Sequence, residues 1–174
     1  FNILTYAFVN ADMTECKNET FMAGFNSTEF FQGNWHVTHV KHVENVVNEI
    51  FCQEFETTKD GNDLFVEYDY TKNENENNVR CECRTKVENG KPIPFECVKN
   101  GESIFQADFT IMGTDYNDYA VLYRCVTRKT GSKADNYVLL RRRSGTDDIP
   151  DKAKSLTNPM NLQMCKEITM SSVA

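Results

Sequence analysis

Phe30-Phe31-Gln32-Gly33-Asn34-Trp35-His36-Val37-Thr38-His39-Val40 is the stretch from which the rest of the chain is read. A glycine follows an aromatic pair and opens a run, 34–40, in which Trp35 and Val37 alternate with polar neighbours. That two-residue period belongs to a strand with one buried face. Trp35 is the one tryptophan in the chain. A large flat ring at the start of a strand suits the plug of a small barrel, with a guanidinium over its face adding roughly 1 kcal/mol. If Trp35 points inward, alternation carries Val37 and His39 inward with it and turns His36 out.

Working outward, the same period recurs in runs rich in Val, Phe, Tyr and Thr. After 34–40 the expected strands are 47–56, 64–72, 79–87, 93–99, 103–112, 119–128 and 136–142. Turn chemistry separates them: Lys59-Asp60-Gly61-Asn62, Glu88-Asn89-Gly90-Lys91, Asn100-Gly101 and Thr130-Gly131-Ser132. Asn-Gly between two strand patterns is a hairpin signal. Eight short strands with tight turns describe an all-β fold, an up-and-down antiparallel barrel or a sandwich. Short helical segments are expected at 22–31, capped by Asn26 or Ser27, and at 151–156 after Pro150.

Composition narrows the class. The chain has 174 residues, 40% of them hydrophobic and 26% charged, with a formal net charge of −7. That is a globular composition, and the negative balance opposes non-specific nucleic-acid binding. No apolar run approaches the roughly 20 residues of a spanning helix, so no membrane is expected. Residues 1–11 carry no charge and end Val9-Asn10-Ala11. They read as a signal peptide truncated at its start, which leaves 12–174 as one barrel domain. Seven dispersed cysteines, Cys16, Cys52, Cys81, Cys83, Cys97, Cys125 and Cys165, point to long-range disulfides in an oxidising compartment. The sequons at Asn18 and Asn26 agree with a secretory route.

Three motifs now acquire a common meaning. Gly33-Asn34-Trp35 opens the first strand, Thr114-Asp115-Tyr116 lies between the sixth and seventh, and Leu139-Leu140-Arg141 ends the eighth. In that order they resemble the lipocalin signature. Asp115 suits a turn that accepts amide hydrogen bonds, and Tyr116 an apolar anchor. The tryptophan-stacking arginine is Arg141 by the family's placement, although alternation does not choose between Arg141 and Arg142. The stretches 28–39, Val79-Arg80-Cys81-Glu82-Cys83 and Gln106-Ala107-Asp108-Phe109-Thr110 are similar to the triabin-like salivary lipocalins of blood-feeding triatomine bugs, in the calycin superfamily.

That resemblance implies an eight-stranded up-and-down barrel and a disulfide framework of Cys16–Cys125, Cys52–Cys165 and Cys83–Cys97. Cys81, two residues from Cys83 on the same face, is left over or competes for Cys97. It also implies a secreted salivary protein, in some members an allergen, that sequesters a small hydrophobic or amphipathic host mediator: an eicosanoid, a biogenic amine or a nucleotide. The rival implication is a surface-acting inhibitor of a clotting protease such as thrombin, for which Asp60, Asp63, Glu74 and Glu76 near loop tips supply negative charge.

The residues themselves suggest a lining. Phe105, Ala107, Phe109 and Ile111 alternate along the sixth strand, and Tyr68, Tyr70, Tyr119 and Tyr123 add aromatic rings with polar tips. Candidate ligand contacts are therefore His39, Tyr68, Phe105, Phe109, Tyr123 and Arg124. Arg124 and Asp108 lie on faces opposite to Tyr123 and Phe109, and alternation leaves open which of them enters a cavity. A cavity-facing cation would favour an anionic ligand, a carboxylate an amine. His36, His39 and His42 at spacing three are split between the faces of a strand, so no metal site is expected. No cofactor is expected, and with no Gly-x-Ser-x-Gly, phosphate loop or His-Glu-x-x-His, no enzyme. The working expectation is a monomer.

Overall fold

The computed structural model describes residues 14–41, 53–69 and 78–167. Its strands are β1 (Gly33–Lys41), β2 (Glu54–Asp60), β3 (Asp63–Asp69), β4 (Asn78–Cys83), β5 (Ile93–Lys99), β6 (Glu102–Thr114), β7 (Tyr119–Arg128), β8 (Lys133–Arg141) and β9 (Leu162–Met164). Strands β2 to β8 pair in sequence order, all antiparallel. β1 then pairs with β8 on one side and β2 on the other, closing an eight-stranded barrel. Closure leaves none of these eight strands as an open edge. The short β9 adds to the far end of β1 from outside.

The fifth and seventh strands have the expected bounds. β6 runs two residues further than expected, β8 begins three residues earlier, and β4 leaves the sheet at Cys83 instead of reaching residue 87. The hairpin at Asn100-Gly101 follows the sequence closely. Both residues have positive φ, 51° and 77°, with Lys99 and Glu102 paired across them. That is the type I′ geometry whose twist matches the flanking strands. α1 (Ser27–Phe30) is capped by Asn26, whose Oδ1 accepts from the amides of Thr28 and Glu29. α2 (Lys154–Thr157) is flanked by the 3₁₀ turns Asp151–Ala153 and Asn158–Met160. The expected leader remnant, 1–11, lies outside the described residues.

Two apolar clusters are formed. One fills the barrel: Trp35, Val37 and Val40 with inward residues of β2 to β8, among them Phe55, Tyr68, Phe95, Phe105, Phe109, Leu122 and Leu140. The other lies outside, where Tyr119, Val121, Tyr123, Tyr137 and Leu139 on β7 and β8 are covered by Ala153 and Met160. The N-terminal arm is bound to that outer face. A Cys16–Cys125 disulfide ties it to β7. The Lys17 amide donates to the Tyr123 hydroxyl at 2.9 Å, and the Tyr137 hydroxyl donates to Glu19.

Trp35 is fully buried at the closed end, stacked on Phe30 at 5.1 Å, with its indole N–H donating to the Phe30 carbonyl. The arginine over it is Arg142, not Arg141. β1 and β8 pair His36 with Arg141, so the next step of the ladder brings residue 142 to Trp35. Arg141 points outward instead and binds Asp118 at 2.9 Å.

The disulfide assignment is also corrected. Cys97 is bonded to Cys81, and Cys83 is a free, buried thiol beside Thr85. The β4–β5 register sets Cys81 directly opposite Cys97, with Cα atoms 4.0 Å apart, so Cys83 falls two residues further along, past the Glu82–Glu96 pair. Cys165 is disulfide-bonded. Its expected partner, Cys52, lies outside the described residues.

Candidate functional site

β7 decides what enters the barrel. Its odd-numbered residues Tyr119, Val121, Tyr123 and Cys125 belong to the outer cluster, while Ala120, Leu122 and Val126 belong to the inner one. Alternation therefore turns Arg124 and Arg128 inward. Along this face β7 brings two guanidiniums and no carboxylate inside. Arg124 is directly opposed to Phe109 on β6 and to Asn136 on β8. Arg128 is opposed to Phe105, nearer the open end.

Arg124 stands among aromatic rings. Its guanidinium carbon lies 5.5 Å from the Tyr68 ring, 5.7 Å from Phe105 and 5.9 Å from Phe109. One terminal nitrogen donates to the Tyr68 hydroxyl at 3.0 Å. Tyr68 in turn packs against Phe55, with centroids 5.5 Å apart. Arg124 is partly buried, with its Nε enclosed. A guanidinium on aromatic faces, held by a tyrosine hydroxyl, has the chemistry to receive a planar anion. Asn136 does structural work instead. Its side chain accepts from the Lys41 and Tyr137 amides and donates to the Lys41 carbonyl.

Of the six residues singled out as ligand contacts, the structure brings Tyr68, Phe105, Phe109 and Arg124 together and sets His39 and Tyr123 elsewhere. Tyr123 faces outward, donating to the buried Asp135 at 2.8 Å beneath the N-terminal arm. His39 also faces outward, because β1 carries a bulge. Val37 is paired with Leu140, but His39, not Thr38, is paired with Leu139. Leu140 belongs to the inner cluster and Leu139 to the outer one. One extra residue reverses the alternation, so Val40 takes the inward place. His39 is buried beside β9. Burial, and then the neighbouring Arg141, lower its pKa below the usual 6.5.

Tyr119 likewise leaves the proposed lining for the outer cluster, while Tyr70 lies outside the described residues. Asp108 faces outward, opposed to Cys125. The sequence reading passed over Gln53. It precedes β2 and its carbonyl accepts from the Val37 amide at 3.0 Å, which continues the β1–β2 ladder by one pair. Because Val37 faces inward, so does Gln53.

The Thr114-Asp115-Tyr116 turn lies at the same plugged end as Trp35. Asp115 Oδ1 accepts from the amides of Asp118 and Tyr119, and Thr114 Oγ1 accepts from Tyr116. Tyr116 holds φ at 67°, an uncommon value for a non-glycine residue. Its hydroxyl accepts from the Asn26 amide, and its ring stacks on Phe25.

A closed antiparallel barrel with one plugged end and a polar group set deep among aromatic rings is a lipocalin. Solved structures of similar fold include a mutant of LTBP1 in complex with leukotriene C4, at 26% identity and a TM-score of 0.67, covering 87% of this chain and 97% of that one. The amine-binding protein of Rhodnius prolixus is similar in fold alone, with 18% identity and a TM-score of 0.59 over 90% of this chain and 93% of that one. Sequence supplies the narrower assignment. The Triabin family model matches residues 10–156. Procalin of Hospesneotomae protracta is 35% identical across 94% of this chain and 93% of its own length. Triabin of Meccus pallidipennis is 34% identical across 87% and 91%. The chain belongs to the Triabin family.

Proposed function

We propose that this protein is secreted and sequesters a small anionic, amphipathic mediator inside its barrel. The observation that carries the reading is the Arg124 guanidinium, turned inward and ringed by Tyr68, Phe105 and Phe109. A positive charge in an aromatic, partly dry setting attracts a carboxylate more strongly than the same charge in water does. The rings accept an apolar body. Arg128 adds a second inward cation toward the open end, so both charges on this face of β7 disfavour biogenic amines. The similarity to LTBP1, whose structure holds leukotriene C4, supports an eicosanoid as the mediator. Disulfides support the extracellular setting, in saliva by the family resemblance. The sequons at Asn18 and Asn26 are both exposed, where glycans would be accepted on a secretory route.

Calorimetry with leukotriene C4, arachidonate, tryptamine and ADP tests this. Leukotriene C4 or arachidonate is expected to bind and tryptamine to give no heat. Arg124→Gln is expected to weaken anion binding by at least about tenfold. Absence of heat with every anion, or an unchanged affinity in Arg124→Gln, overturns the proposal.

A second reading, surface inhibition of a clotting protease, draws on Glu54, Glu56, Glu67 and Asp69, which line one outer depression of about 260 Å³. Such a face would steer toward a cationic exosite. A prolonged thrombin clotting time that survives Arg124→Gln would favour it.

A further inference from the structure

Gln53 carries a buried amide that the barrel does not use. The residue is 9% exposed, and its Nε2 has no hydrogen-bond partner among the described residues. Pairing with Val37 turns the side chain into the interior. Two residues on, the Phe55 ring packs against Tyr68, whose hydroxyl accepts from Arg124. Gln53 thus stands about 7 Å of strand from Phe55, toward the open end, along the wall that leads from the Arg124 charge.

A buried N–H without an acceptor costs free energy in the empty protein, because it has lost water and gained nothing. A nearby isoleucine or leucine would have avoided that cost. An orphan donor set along the path from a charge, in a barrel that receives a ligand, is a recognition group.

We infer that Gln53 donates to an oxygen on the body of the ligand, so that the barrel prefers an oxygenated fatty anion over a plain one of the same length. This inference rests on the anionic-ligand reading above. Arg124 takes the charged end and the rings take the chain. Gln53 rejects a ligand that offers only hydrocarbon, because its N–H then remains unpaired. Sites built to hydrogen-bond one group discriminate strongly against analogues that lack it.

The test is calorimetry of the full chain with arachidonate and three monohydroxylated derivatives, with the hydroxyl near the carboxylate, in mid-chain and near the tail. At least one derivative is expected to bind about tenfold or more tighter than arachidonate. In Gln53→Leu that preference is expected to fall to within about twofold, with arachidonate bound at least as tightly as before. Because the variant removes an unpaired buried donor, its Tm is expected to stay level or rise.

Arachidonate binding that depends on Arg124, together with no preference in the parent protein or an undiminished preference in Gln53→Leu, overturns the inference and leaves the anionic reading standing. A lowered Tm with equal losses for all four ligands assigns Gln53 a structural role and also overturns it. Failure of all four to bind the parent protein overturns the inference, and the anionic reading falls with it only if leukotriene C4 and ADP also give no heat.

Discussion

The guanidinium of Arg142 lies 3.7 Å from the centre of the Trp35 ring, and its five N–H groups are directed at backbone carbonyls. Nε donates to Tyr116, one terminal nitrogen to Gln32 and Asn34, and the other to Glu29 and Phe30. One side chain thereby joins α1, the start of β1 and the β6–β7 turn across the plugged end. Burial pulls the Arg142 pKa down from its usual value, but a guanidinium stays charged through the physiological range.

Arg142→Lys is expected to lower stability by roughly 2–3 kcal/mol, because an ammonium has three donors and no flat face to lay on the indole. Arg141→Ala is expected to cost less, about 1–2 kcal/mol, since water screens its partners Asp118 and Asp148. Urea denaturation of the two variants gives the order, and a larger loss in Arg141→Ala would contradict the assignment of Arg142 as the closing residue.

The buried His39 predicts a pH dependence. Its folded pKa is lowered below 6.5, so the unfolded chain binds the proton more readily. Stability is therefore insensitive to this group above about pH 6.5 and falls as the pH drops through the window beneath it. His39→Gln is expected to lose less stability than the parent between about pH 6.5 and 5. Thermal melts across that range, with an NMR titration of the imidazole, check the sign.

Disulfide mapping distinguishes the neighbouring cysteines. Alkylation of the denatured, unreduced protein is expected to label Cys83 and not Cys81. Cys81→Ala opens the link across 16 residues and is expected to cost about 3 kcal/mol. Cys83→Ala removes a buried thiol beside Thr85 and is expected to cost about 1 kcal/mol. Equal losses would mean that both thiols share the bond.

Gly113 allows the C-terminal segment to seat on the barrel. A Cβ there would lie 2.7 Å from Leu156 Cδ1, so Leu156 would have to move. Gly113→Ala is expected to lower stability by about 1–2 kcal/mol. In a Leu156→Ala background the same change is expected to cost at least about 1 kcal/mol less, a coupling that a double-mutant cycle measures directly.

The two-residue period of the strands, the Asn100-Gly101 turn and a helix cap at Asn26 or Ser27 were legible because each depends on a few adjacent residues and their local backbone preferences. Of the candidate contacts, Phe105 and Phe109 were legible for the same reason: β6 keeps an unbroken alternation through both. Alternation divides β7 into two faces, one bearing Tyr123 and the other Arg124, but holds no information about which face is inside. That was decided when the N-terminal arm and the C-terminal turns covered the tyrosine face. The bulge in β1, which moved His39 out and Val40 in, depends on how β1 meets β8 more than ninety residues later. Register made the remaining choices. Local pattern is indifferent between Cys81 and Cys83, which share one face of β4, and it leaves Arg141 and Arg142 open because it does not say which side of β8 meets Trp35. Only the alignment of β4 with β5, and of β1 with β8, sets one member opposite its partner, and that alignment belongs to the closed barrel as a whole.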